Sequence, residues 1–131
     1  MSDWYAISNA AAIPTPTVLV YPDRVEKNLQ RMITMAGDVS RLRPHVKTHK
    51  LPQIIALKRK AGIHKFKVST IAEAEMTAVA GGEDILLAYQ PVGPNILRLV
   101  ALMRRFPETR FATLVDDPAN LAAISQVAVA E

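Results

Sequence analysis

The stretch Arg43-Pro44-His45-Val46-Lys47-Thr48-His49-Lys50 holds the densest set of chemically capable side chains in this 131-residue sequence. On a β-strand, successive side chains point to opposite faces. Arg43, His45, Lys47 and His49 would then share one face, with Val46 and Thr48 on the other. A face carrying two imidazoles and two cations is poor core material unless it lines a polar pocket. Like charge and partial burial both favour the neutral form of an amine. A neutral Lys47 amine is a nucleophile toward aldehydes, which is what Schiff-base chemistry requires. The pattern alone equally allows a solvated basic strand edge.

Parallel α/β folds place ligands at the carboxyl ends of their strands. There the sequence offers Thr48-His49, Ser69-Thr70, Tyr89-Gln90 and Asp116-Asp117. Thr70 and Asp117 are accounted for as helix caps, whereas Tyr89 and Gln90 have no evident structural duty. His45 and His49 would suit a metal on a helix, but Pro44 and the strand reading oppose that, and no metal ligand is assigned. The chain contains no G-x-G-x-x-G, Walker loop, H-E-x-x-H or G-x-S-x-G.

The elements that must position these residues follow from periodicity and punctuation. Residues 1–16 read as an N-terminal arm. Thr17 to Tyr21 is a short β-prone run closed by Pro22. Asp23 is placed to cap a helix in which Val25, Leu29, Met32 and Ala36 recur at helical spacing, with Gly37 as its stop. A unit then repeats. Leu42 to Thr48 predicts a strand, followed by a helix over about 51–61. Phe66 to Ser69 predicts a second strand, and Thr70-Ile71-Ala72-Glu73 matches a capping box. Asp84 to Tyr89 predicts a third strand, followed by a helix with Ile96, Leu99, Val100 and Met103 on one side. Phe111 to Val115 predicts a fourth, and Asp117-Pro118 starts the last helix.

Strands alternating with helices imply a parallel sheet: either a small doubly wound sheet or part of an eightfold barrel. A complete barrel needs roughly 250 residues. Residues 17–131, holding about four βα units, are therefore expected as a partial (β/α)8 TIM barrel.

Composition narrows the partners. Half the residues are apolar, 21% are charged and none is cysteine, which is ordinary globular usage. No long uncharged apolar run is present and the first residues lack a secretory pattern, so a cytoplasmic protein with no membrane contact is expected. The net charge is +4, and twelve of the sixteen Lys and Arg residues fall between Arg24 and Lys67. Such a block attracts phosphate. The only aromatic within it, histidine aside, is Phe66, so the stacking platforms of a nucleic-acid surface are missing.

The octapeptide at 43–50 resembles the pyridoxal-phosphate lysine motif of the D-threonine aldolase and D-serine dehydratase family, whose N-terminal domain is the alanine racemase-like, fold type III barrel. Thr15-Pro16-Thr17 through Asn28 is similar to that family's entry segment. Val68-Ser69-Thr70-Ile71-Ala72-Glu73-Ala74-Glu75 is similar to its second strand and helix start, and Asp84 through Pro94 to its third. The likeness runs from about residue 14 to 125. It implies that Lys47, at the end of the first barrel strand, forms the internal aldimine with pyridoxal 5'-phosphate, and that Lys50 does not. It places His45 and His49 beside the aldimine. Arg43, Thr70, Tyr89 and Gln90 complete the expected cofactor contacts. The implied chemistry is carbanion stabilisation by the pyridoxal ring, leading to retro-aldol cleavage or dehydration of a small D-amino acid. A racemase, or a noncatalytic assembly module of the same fold, is the alternative. Family members continue into further barrel strands and a β domain, where the resemblance puts the phosphate-binding backbone and a divalent metal. The chain is therefore expected to be a fragment, and its open sheet edges lead to the expectation of a homo-oligomer.

Overall fold

The computed structural model describes residues 3–130. An N-terminal segment with one 3-10 turn at Ala10–Ala12 leads into α1 (Pro22–Ala36). Pro22 occupies the first helical turn, so the helix begins one residue before the expected cap. Tyr21 is the boundary residue and supplies no side-chain cap. Asp23 lies inside the first turn, where its charge still favours the helix dipole. The expected stripe turns inward: Leu29 is buried, and Met32 and Ile33 pack against the core. Gly37, at φ +75°, donates its N–H to the Ile33 and Thr34 carbonyls and ends the helix.

Beyond a 3-10 turn at Val39–Arg41, the chain runs α2 (Pro52–Lys60), β1 (Lys65–Val68), α3 (Ile71–Val79), β2 (Asp84–Leu87), α4 (Pro94–Arg105), β3 (Arg110–Thr113) and α5 (Pro118–Ala130). The strands form a parallel sheet in the order β1-β2-β3. Phe66 pairs in register with Ile85, and Ile85 with Phe111. Phe66, Val68, Ile85 and Leu87 are buried and form the core with Ile55, Ile63, Ala74, Ala78, Leu99 and Leu102. The alternate strand positions, among them Lys65, Lys67, Asp84, Leu86 and Ala112, lie on the opposite, more open face.

Two expected strands change. Thr17 to Tyr21 joins no ladder among the described residues, and Val18, Leu19 and Val20 are exposed. β propensity alone does not make a strand without cross-strand partners, and this run has none among the described residues. The Leu42–Thr48 strand contracts to a single parallel bridge between His45 and Lys67. There the Val46 N–H donates to the Lys67 carbonyl (2.8 Å) and the Lys67 N–H to the Pro44 carbonyl (3.1 Å). The Val46 carbonyl then accepts the N–H groups of His49 (3.1 Å) and Lys50 (3.0 Å), which closes a turn instead of extending the ladder. Asp117 caps α5 as expected, its Oδ1 accepting the Asn120 N–H at 2.7 Å. Among the described residues, no helix is long and apolar enough to cross a membrane.

Candidate functional site

The bridge and the turn after it decide where the octapeptide's side chains go. Val46 faces the helices and is fully buried. Arg43 and His45 lie on the open face, but at different heights. The Arg43 guanidinium forks onto the Asp84 carboxylate at the amino end of β2, with Nη1–Oδ1 at 2.6 Å and Nη2–Oδ2 at 2.8 Å. Nη1 also donates to the carbonyls of Asp84 (3.2 Å) and Phe66 (3.4 Å). These bonds hold the Asp84 carboxyl below the usual carboxylate range, against a smaller opposing effect of burial. Arg43 is thus a clasp between the 43–46 segment and β2, at the end of the sheet away from Lys47. Arg43→Met leaves a half-buried carboxylate with unfilled acceptors. The expected cost is about 1–2 kcal/mol, read as a lower urea midpoint with an unchanged slope.

His45 sits one layer higher. Its Nδ1 accepts the Lys47 N–H at 3.2 Å, which puts the ring proton on Nε2, facing the Ser69 hydroxyl at 3.3 Å. Partial burial pushes its pKa down, and the charges of Lys47 and Lys67 push it further, with Glu73 opposing. The ring is therefore held neutral.

Lys47 follows in the turn, exposed to solvent. The burial expected around it is not supplied by the described residues. Its amine carries no hydrogen bond or ion pair among them. The neighbouring lysines differ: the Lys50 ammonium lies 3.4 Å from Glu73 Oε1, and the Lys58 amine 3.1 Å from His49 Nε2.

The turn also removes His49 from the shared face expected of a continuous strand. His49 Nδ1 accepts the Leu51 N–H (3.1 Å) at the start of α2. Its ring joins Trp4, Tyr21, Leu29, Ile54 and Lys58 around a cavity of about 450 Å3 beside α1. Burial, then the Lys58 charge, pushes its pKa down from 6.5 to about 4. Burial lowers the Lys58 pKa as well. Between those pH values the unfolded chain binds a proton on His49 that the folded chain does not, so stability falls as pH falls. His45 acts with the same sign. After discounting for solvent screening of a half-exposed ring, the His49 contribution is about 1 kcal/mol. The expected result is a melting temperature lower at pH 4.5 than at pH 7, with a smaller difference in His49→Gln.

The strand ends account for the remaining candidates. The Thr70 hydroxyl accepts the Glu73 N–H at 3.0 Å and caps α3. Tyr89 packs against the core, and its carbonyl accepts the Thr113 hydroxyl at 2.8 Å. Gln90 does have a structural duty, contrary to expectation. Its Oε1 accepts the N–H groups of Asp116 (3.0 Å) and Asp117 (3.2 Å), fastening the end of β2 to that of β3. The structure thus brings His45, Lys47 and Ser69 together and leaves Arg43, His49 and Gln90 engaged elsewhere. Ser69 and Glu73 join this cluster. Their sequence signals, a strand end and a capping box, did not distinguish them as site residues. No group of three or more metal-binding side chains occurs among the described residues.

Comparison with known proteins identifies the family and the fold. The family model for the alanine racemase N-terminal domain matches residues 20–131. The D-threo-3-hydroxyaspartate dehydratase of Delftia sp. (strain HT23) is 36% identical over 114 residues, covering 86% of this chain and 30% of that protein. The D-threonine aldolase of an Arthrobacter species is 32% identical over 121 residues, covering 91% of this chain and 31% of that one. The crystal structure of a D-threonine aldolase from Filomicrobium marinum superposes with a TM-score of 0.80 at 30% identity, covering 92% of this chain and 32% of that chain. The chain spans about a third of the length of these relatives, and its α/β arrangement is part of a TIM barrel. It belongs to the alanine racemase N-terminal domain family.

Proposed function

We propose that this chain is the lysine-bearing N-terminal part of a pyridoxal-phosphate-dependent lyase acting on small D-β-hydroxy-amino acids. The observation that carries the reading is Lys47, its amine solvent-exposed and without a partner among the described residues, in the turn whose backbone N–H at Lys47 is accepted by the His45 ring, which also meets the Ser69 hydroxyl. The curated relatives, named as a dehydratase and an aldolase of D-amino acids, support the substrate class. These residues fit a covalently held aldehyde. Lys47 would hold pyridoxal phosphate through the aldehyde carbon of that group. The bound ring supplies an electron sink for the Cα carbanion. His45 and Ser69 hold a proton between them, with the Nε2–H directed at the hydroxyl, and the same ring fixes the Lys47 backbone through Nδ1. His49, Arg43, Thr70, Tyr89 and Gln90 support the site through the backbone they hold.

The proposal extends to partners. The outer edge of β3 pairs with no strand among the described residues, which supports association with a further copy of the chain. The basic block lacks interleaved aromatics, which argues against nucleic acid. A cytoplasmic location belongs to the same reading.

Two measurements test it. Titration with pyridoxal phosphate is expected to raise an absorbance band near the visible edge, and Lys50→Ala is expected to keep that band. No band in the unaltered protein, or its loss in a folded Lys50→Ala variant, contradicts the assignment. With a D-β-hydroxy-amino acid, glycine plus an aldehyde marks retro-aldol cleavage, and a 2-oxo acid plus ammonia marks dehydration. Formation of the L-enantiomer alone would make the protein a racemase and end the lyase reading.

A further inference from the structure

Glu73 is a carboxylate at 4% exposure in the first turn of α3. Capping explains an acid at this position but not the contacts that it makes. In a capping box the acid returns to the N–H of the cap residue itself. Here Oε2 accepts the N–H of Ser69, one residue before the cap, at 2.8 Å. Oε1 is buried without a hydrogen bond and faces the Lys50 ammonium at 3.4 Å. A buried charge is retained only where a partner compensates it.

That partner sits in an unusual backbone conformation. Lys50 has φ +48°, the left-handed region that residues with a Cβ seldom adopt. It closes the turn in which the Val46 carbonyl accepts the N–H groups of His49 and Lys50. Lys47 lies inside that turn. The other arm of Glu73 reaches Ser69, whose hydroxyl meets His45. One carboxylate therefore ties the end of β1 to the far end of the lysine-bearing turn. Glu73 also favours the protonated forms of both His45 and His49.

We infer that Glu73 is a positioning residue for Lys47: through Ser69 and Lys50 it clamps the 46–50 turn onto the carboxyl end of β1 and so sets how fast the Lys47 amine meets an aldehyde. The inference rests on the reading of Lys47 as the reacting amine. A glutamine at this position keeps an acceptor for the Ser69 N–H but gives up the charge that holds Lys50, so the fold survives while the clamp opens on one side.

The experiment compares the unaltered protein with Glu73→Gln, Lys50→Met and Lys50→Arg. It reads the rate of pyridoxal phosphate condensation at Lys47, amide hydrogen exchange over residues 47–50, and the thermal melt. Glu73→Gln and Lys50→Met are expected to condense about tenfold more slowly and to exchange about tenfold faster in the turn. Lys50→Arg, which keeps charge and reach, is expected to restore both. Condensation and exchange at the unaltered rates in Lys50→Met would overturn the inference. Should Glu73→Gln fail to fold, the Lys50 pair decides alone, because that side chain is largely exposed. Should the unaltered protein form no adduct at Lys47, the reading of Lys47 fails, while turn exchange still reports on the clamp.

Discussion

Lys47→Ala is expected to remove the near-visible absorbance band completely and, in an enzyme assembled from this chain, to abolish turnover. The substitution deletes the only atom able to form the proposed covalent link, and no other amine of the octapeptide is placed to substitute. Lys50 is bound to Glu73 on the far side of the turn. Lys58 lies beside His49 at the α1–α2 cavity, away from Ser69. The fold is expected to survive, because the Lys47 side chain is exposed and unpartnered among the described residues. Surface changes of that kind move stability by roughly 0.5 kcal/mol or less. A persistent band in a folded Lys47→Ala protein would move the chemistry to another residue. A lost fold is distinguished by circular dichroism.

The largest effect on stability is expected at Phe66. Its side chain is fully buried at the centre of β1, in register with Ile85. Gly82 comes so near that a Cβ there would lie 3.2 Å from Phe66 Cδ2 and 2.8 Å from Thr77 Cγ2. Packing this close leaves little room for neighbours to collapse into a void. Phe66→Ala is therefore expected to cost about 3–5 kcal/mol, a large share of the roughly 5–15 kcal/mol that holds a domain of this kind. The cost is read from urea unfolding followed by circular dichroism. A loss below about 1 kcal/mol would mean that β1 is not the core strand described here.

Features legible in the sequence were those decided within a few residues. The α1 stripe through Leu29 and Met32, the Thr70 cap on Glu73, the Asp117 cap and the apolar run at Ile85–Leu87 all depend on neighbours along the chain. The 42–48 run is not legible as a turn because the Val46 carbonyl has two claimants, a ladder and a turn, and residue types alone do not rank them. That choice also carried His49 off the face shared by Arg43 and His45. Gln90 looked idle because the N–H groups it accepts belong to Asp116 and Asp117, brought near only by β2–β3 pairing. Glu73 was recognisable as a cap, but its second role needs Lys50, which approaches only through the parallel bridge at His45 and Lys67. The basic octapeptide itself was conspicuous because charged residues rarely cluster beside a buried strand without a polar task.

The most direct test of the central claim is chemical. The unaltered protein is mixed with pyridoxal phosphate, reduced with borohydride, digested, and mapped by mass spectrometry. The pyridoxyl group is expected on Lys47, with Lys50, Lys58 and Lys67 unmodified at one equivalent of label. A label confined to any of those three, with Lys47 untouched, would contradict the claim.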